Sequence, residues 1–169
     1  PKGHAESRES DNMPKKSKHP KPYIRVQRSQ VGNVHGGQQP HGIVLHSTES
    51  HDRPGPSDVE GILKFLEGTP EQLGIHFVVD KQGIVGQGAY TNRITYHCKG
   101  ANTGYIGIEM IGFARFELKT WYKRRRQLKK VARILAWLSV KYDIPLRRGL
   151  VSGVSMHREH PAGGHWDPG

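Results

Sequence analysis

Apolar residues along the chain fall into short compact runs and longer staggered ones, and the two kinds predict different elements. Tyr23, Ile24, Arg25 and Val26 alternate and predict a first strand. Residues 32–37 are Gly-rich and read as a turn, after which Gly42, Ile43, Val44 and Leu45 make a short buried strand that closes on His46. A loop with Pro54 and Pro56 leads into a capping box, Ser57-Asp58-Val59-Glu60, and so into a helix. Val59, Ile62, Leu63 and Leu66 share one face of that helix, and Gly68 with Pro70 end it. Residues 75–79 and 83–87 are apolar runs on either side of Asp80, Lys81 and Gln82, a hairpin pattern. A further strand is expected over 105–111. A long helix is expected over 120–142, with Leu128, Val131, Leu135, Leu138 and Tyr142 as its apolar stripe, stopped at Asp143-Ile144-Pro145. Strands and helices interleave, which predicts an α/β single domain with a central mixed β-sheet flanked by helices.

Composition narrows this picture. Residues 1–22 are rich in Lys, Pro and Ser and lack periodic apolar positions. They bury too little to offset ordering entropy and read as a flexible basic tail or linker, leaving 23–169 as the domain. No apolar run approaches the ~20 residues that span a bilayer, so no membrane insertion is expected. The chain opens on Pro1 without a visible secretory signal, which suggests an excised or processed module. A single cysteine, Cys98, excludes an internal disulfide and reads as a small buried filler. The net charge of +11 favours polyanionic surroundings: nucleic acid, acidic lipid or an anionic wall. No helix-turn-helix, zinc-finger or RNA-recognition signature accompanies that charge, so no nucleic-acid partner is expected. Lys123, Arg124, Arg125 and Arg126 read as a solvated helix face that adds to attraction for anions.

Three distant segments carry candidate chemistry. His46 ends a strand, Glu109 interrupts the apolar run Ile106-Gly107-Ile108-Glu109-Met110, and His157, His160, His165 and Asp167 crowd the C-terminal stretch. A catalytic zinc takes three nitrogen or oxygen ligands and leaves a fourth position to water. His46, His157 and Asp167 would make such a set, with the glycines between the last two letting the chain turn back; His160 and His165 compete for the same roles. The HExxH pattern of thermolysin-like proteases is absent. Alternation puts Glu109 on the strand face opposite Ile106 and Ile108, compatible with a cleft or with solvent.

The ordered series Ile43-Val44-Leu45-His46-Ser47-Thr48, Ile75-His76-Phe77-Val78-Val79-Asp80, Tyr96-His97-Cys98-Lys99-Gly100-Ala101-Asn102-Thr103, Ile106-Gly107-Ile108-Glu109, His157 and His165-Trp166-Asp167-Pro168-Gly169 resembles the type-2 N-acetylmuramoyl-L-alanine amidases. That family shares its fold with peptidoglycan recognition proteins, and the likeness runs from Ile43 to the end. The resemblance implies Zn2+ bound by His46, His157 and Asp167, Glu109 as general base and His165 as oxyanion stabiliser. Thr48, His76, His97 and Asn102 are then candidates for the substrate groove, although His76 and His97 could equally serve packing. His160 is expected at the surface. Three positions depart from the family pattern: Ile75 where some relatives carry a catalytic tyrosine, Met156 where glycine is common, and Cys98 where alanine is common.

The implied function is hydrolysis of the bond between N-acetylmuramic acid and L-alanine in bacterial peptidoglycan. The chain would be a monomeric module of a larger phage endolysin or bacterial lysin, made in the host cytoplasm and acting at the cell wall. The alternative is a recognition domain that binds peptidoglycan without cutting it. An intact metal triad argues against that alternative.

Overall fold

The computed structural model describes residues 19–28, 34–53 and 58–163. The tail residues 1–18, the cap position Ser57 and the predicted site residues His165 and Asp167 lie outside them.

Among these residues eight strands and three α-helices follow one another as β1 (Val26–Gln27), β2 (Val34–Gly37), β3 (Gly42–Ser47), α1 (Asp58–Glu67), β4 (Phe77–Val79), β5 (Val85–Gln87), β6 (Arg93–Thr95), β7 (Tyr105–Met110), α2 (Leu118–Lys123), α3 (Arg125–Tyr142) and β8 (Gly153–Met156). Six of them form one mixed sheet in the order β1-β5-β4-β7-β3-β8. Strands β4, β7, β3 and β8 run parallel, whereas β5 returns antiparallel to β4 through the anticipated hairpin. The expected mixed α/β domain is what forms.

Side-chain alternation divides the sheet into two faces. Ile43, Phe77, Val79, Ile106, Ile108 and Met110 point to one side, where Val131, Ile134 and Leu138 of α3 cover them. On the other side Val78, with Ile75 and Ile111 beside it, packs against Val59 and Leu63 of α1. The sheet can approach α1 closely because β5 carries Gly86 there. A Cβ at Gly86 would lie 2.3 Å from Val59 Cγ1.

Several elements differ from the sequence expectation. Of the region read as a Gly-rich turn, Val34–Gly37 is a strand, paired antiparallel with β6 in a small second sheet. The long helix is broken at Arg124 (φ −91°, ψ 37°) into α2 and α3. Its buried stripe is Gln127, Val131, Ile134 and Leu138, with Leu128 and Leu135 only half-buried. The stripe is turned because the side chain of Gln127 is drawn inward to donate to the carbonyls of Val79 (2.8 Å) and Ile111 (3.0 Å). Arg124 is not a solvated face residue either, being 3% exposed and doubly bonded to Asp52. Asp143 ends α3 in the left-handed conformation (φ 55°), its N–H bonding the Ser139 carbonyl, so the expected stop falls where it was placed. Cys98 is buried at 2% exposure, as a small filler against Val44, Ala101 and Tyr105.

Candidate active site

Three neighbouring parallel strands, β7, β3 and β8, end at the same edge of the sheet, and ligand sites of open α/β sheets form outside such carboxyl ends. Register decides which side chains meet there. His46 on β3 stands directly beside Glu109 on β7. Leu45 stands beside Met156 on β8, so His157, the next residue, comes level with His46. Residues 111 positions apart thereby meet: Nδ1 of His46 lies 3.0 Å from Nδ1 of His157, both side chains buried. Their rings cross at 62° with centroids 4.5 Å apart. His46 and Glu109 occupy the sheet face away from α3, the one on which Val44 and Val78 also lie.

His97 completes the cluster from the loop before β7. Its Nδ1 is 3.1 Å from His46 Nε2, and burial, then the neighbouring His76, hold its pKa well below the ordinary histidine value. Asn102 positions this loop, its Oδ1 accepting from the backbone N–H of His97 (2.9 Å) and Cys98 (2.7 Å). Sequence reasoning offered Asn102 as a substrate contact; in the structure its side-chain oxygen is taken up in closing this loop. Gly107 gives the His97 ring its room, since a Cβ there would lie 2.7 Å from His97 Cγ.

A cleft of about 280 Å³ opens over these groups, lined by His46, Thr48, Glu49, Tyr96, His97, Glu109 and His157 among others. Thr48 sits at its end, where Oγ1 accepts from Gly112 N–H (3.1 Å), and also borders an adjoining hollow of about 660 Å³ lined by Ser50, His51, Arg53 and α1. Glu49 went unnoticed in the sequence, where nothing but its place just after His46 could have pointed to it. It adopts a positive φ of 52°, and its Oε1 accepts from Ser47 Oγ (2.6 Å) and Ala114 N–H (2.7 Å).

His76 is under the cleft, not in it. It is fully buried, accepts from Gly107 N–H at Nδ1 (3.0 Å) and donates from Nε2 to the Arg93 carbonyl (2.9 Å), so the packing role is the one its geometry serves. These partners need the neutral ring, and burial lowers its pKa to about 4. Unfolding would return it to about 6.5. The unfolded chain therefore binds more protons between those values, and stability is expected to rise with pH from about 4 to about 6.5. Melting temperatures over that range should climb less steeply in His76→Gln than in the parent; equal slopes would assign the dependence to other groups.

His160 is also not the surface residue expected. It is 7% exposed, its Nε2 lies 2.8 Å from Ser155 Oγ, and burial followed by His157 lowers its pKa. Ser155 Oγ donates to the Ile43 carbonyl (3.2 Å), so this pair ties the segment after β8 back to β3.

Two imidazole nitrogens that converge at 3.0 Å suit a shared divalent metal. Zn–N bonds of about 2.0–2.1 Å in a tetrahedral array separate two nitrogens by about 3.3 Å. Among the described residues no group of three or more potential ligands is assembled. Asp167, offered as the third, lies outside them.

The N-acetylmuramoyl-L-alanine amidase family pattern matches residues 36–169, and the chain belongs to that family. Its fold is similar to that of the endolysin N-acetylmuramoyl-L-alanine amidase LysCS from Clostridium intestinale, at 23% identity and a TM-score of 0.67, covering 89% of this chain and 90% of that one. The Staphylococcus aureus hydrolase AmiA, solved in complex with its ligand, is similar at 15% identity and a TM-score of 0.60, covering 84% and 71%. The endolysin of a Thermus scotoductus bacteriophage is similar at 18% identity and a TM-score of 0.58, covering 85% and 90%. No curated protein sequence matches the chain.

Proposed function

We propose that this chain is a zinc-dependent hydrolase that cuts the amide joining the lactyl group of N-acetylmuramic acid to L-alanine in bacterial peptidoglycan. The observation that carries the proposal is the convergence of His46 and His157 at 3.0 Å, with Glu109 in register beside His46, at the floor of an open cleft. Membership of the amidase family supports the choice of bond.

In this reading His46, His157 and Asp167 hold the zinc, and the chemistry it supplies when bound is polarisation of the carbonyl and acidification of a water toward pKa about 7. Glu109 takes a proton from the attacking water, whose oxygen forms the new bond to the carbonyl carbon. The C–N bond then breaks, and Glu109 passes that proton to the departing alanine nitrogen. His165 donates a hydrogen bond to the carbonyl oxygen as negative charge gathers there. Thr48 and His97 line the cleft in which the substrate would lie. The setting is the cell wall, with the chain serving as the catalytic module of an endolysin.

The test is incubation with purified peptidoglycan, with and without a chelator, scoring new amino groups and new reducing sugars separately. New L-alanine amino groups without reducing ends, abolished by chelation and restored by zinc, are expected. Reducing ends would mean a different bond is cut, and binding without release would mean a recognition domain.

A further inference from the structure

The face of the molecule opposite the cleft is built around α3, whose eighteen residues include Arg125, Arg126, Lys129, Lys130, Arg133 and Lys141 and no acidic residue. Among the described residues none of the first five takes part in an ion pair, although carboxylates elsewhere recruit six cationic partners. Arg126, Lys130 and Arg133 recur at helical spacing on one stripe, a row about 10 Å long at 1.5 Å per residue.

The segment leading into β1 crosses this helix and converts its surface into a hollow of about 520 Å³. His19, Lys21 and Tyr23 border it on one side, Lys130 and Arg133 on the other, with no carboxylate in the lining. Lys21 is held in place: it donates to Gln87 Oε1 (3.0 Å) and lies over the Trp137 ring, which Lys141 also approaches. Burial, and then the Lys141 ammonium, lower the Lys21 pKa, so the two cations repel one another beside Trp137. An anion bound among them would relieve that repulsion.

We propose that this hollow and the α3 stripe form an anion-binding site for a phosphodiester polymer of the cell wall, separate from the catalytic cleft. A lone phosphate would engage one or two of these cations, whereas a chain with phosphates every few ångströms meets the whole row. Because α3 covers the sheet face away from His46 and Glu109, a polymer held here leaves the cleft open to peptidoglycan. The wall is named as the polymer's source on the strength of the proposed function; binding itself is read without any hydrolysis, so the two can fail independently.

The probe is purified poly(glycerol phosphate), titrated against the full chain by fluorescence anisotropy. The test variant is Lys130→Gln/Arg133→Gln; the control, Lys99→Gln/Arg147→Gln, removes equal charge from exposed positions elsewhere. At ~0.15 M salt the test variant is expected to bind about tenfold more weakly. With counterion release of ~0.7 per contact on a flexible polyanion, its log K against log salt slope should be shallower by about 1.4. The control should match the parent, with both variants melting as the parent does. Equal weakening in the two variants would overturn the site in favour of diffuse attraction. Binding to phosphatidylglycerol vesicles with none to the polymer would overturn the choice of ligand.

Discussion

Replacing Glu109 by glutamine is expected to lower kcat on peptidoglycan by about 10³, roughly 4 kcal/mol of barrier, while leaving the melting temperature within a degree or two. The glutamine keeps the size of the side chain and its place beside His46 but cannot accept the proton. Its neighbours in the sheet, Val78 and His46, are joined to it through backbone pairing that the substitution does not touch. Metal content should also be unchanged, since Glu109 is assigned no coordinating role. Zinc stoichiometry by emission spectrometry, measured with the kinetics, separates the outcomes. A variant that loses zinc as well as activity would make Glu109 a ligand, and one that keeps full activity would remove it as the base.

Arg124→Ala is expected to be the most damaging single change away from the cleft, costing about 3–5 kcal/mol, as when one partner of a buried ion pair is removed. For a chain of this size that corresponds to a fall of about 10 °C in Tm. Arg124 clamps Asp52 with two nitrogens (2.7 and 2.6 Å), donates to the Ile111 carbonyl (2.6 Å) and to Gln127 Oε1 (2.6 Å), and lies near the rings of Phe116 and Trp121. It thus joins the loop after His46, the end of the strand bearing Glu109 and the break between α2 and α3. Lysine should not restore stability, because an ammonium cannot reproduce the two-pronged contact.

The same residue has an acid signature. Its hydrogen bond to Asp52 holds that carboxyl below its usual value. The stabilisation is present above the unfolded value near 3.9 and is lost as pH falls toward the folded one. Below about pH 4 the parent should therefore lose stability more steeply than the alanine variant. Parallel pH-melting curves would show that Arg124 acts by packing alone.

Strands β3 and β7 were legible because parallel strands buried on both faces are written as continuous apolar runs. The polar residues breaking those runs, His46 and Glu109, were legible for the same reason. β8 was not: Gly153, Val154, Ser155 and Met156 have no strand pattern of their own and become a strand by pairing with β3. The burial of Arg124, Gln127 and His160 was hidden too. Each is polar, and each goes inside to meet a partner (Asp52, the carbonyls of Val79 and Ile111, Ser155) that periodicity cannot announce. The identities of His46, Glu109 and His157 as a group came from motif order, but only the register of β7, β3 and β8 accounts for their meeting.

The position of β8 at the edge of the sheet gives the proposed catalytic assembly and the folded domain different lifetimes. Among the described residues β3 is the one strand it pairs with, and His157 follows it immediately, so half of the nitrogen pair hangs on an edge strand. Opening of that margin disassembles the site while the helices stay packed on the remaining five strands. On this account inactivation by heat is a local event that precedes melting. Crosslinking the margin to β3 would prolong working life without raising the temperature at which the whole domain unfolds.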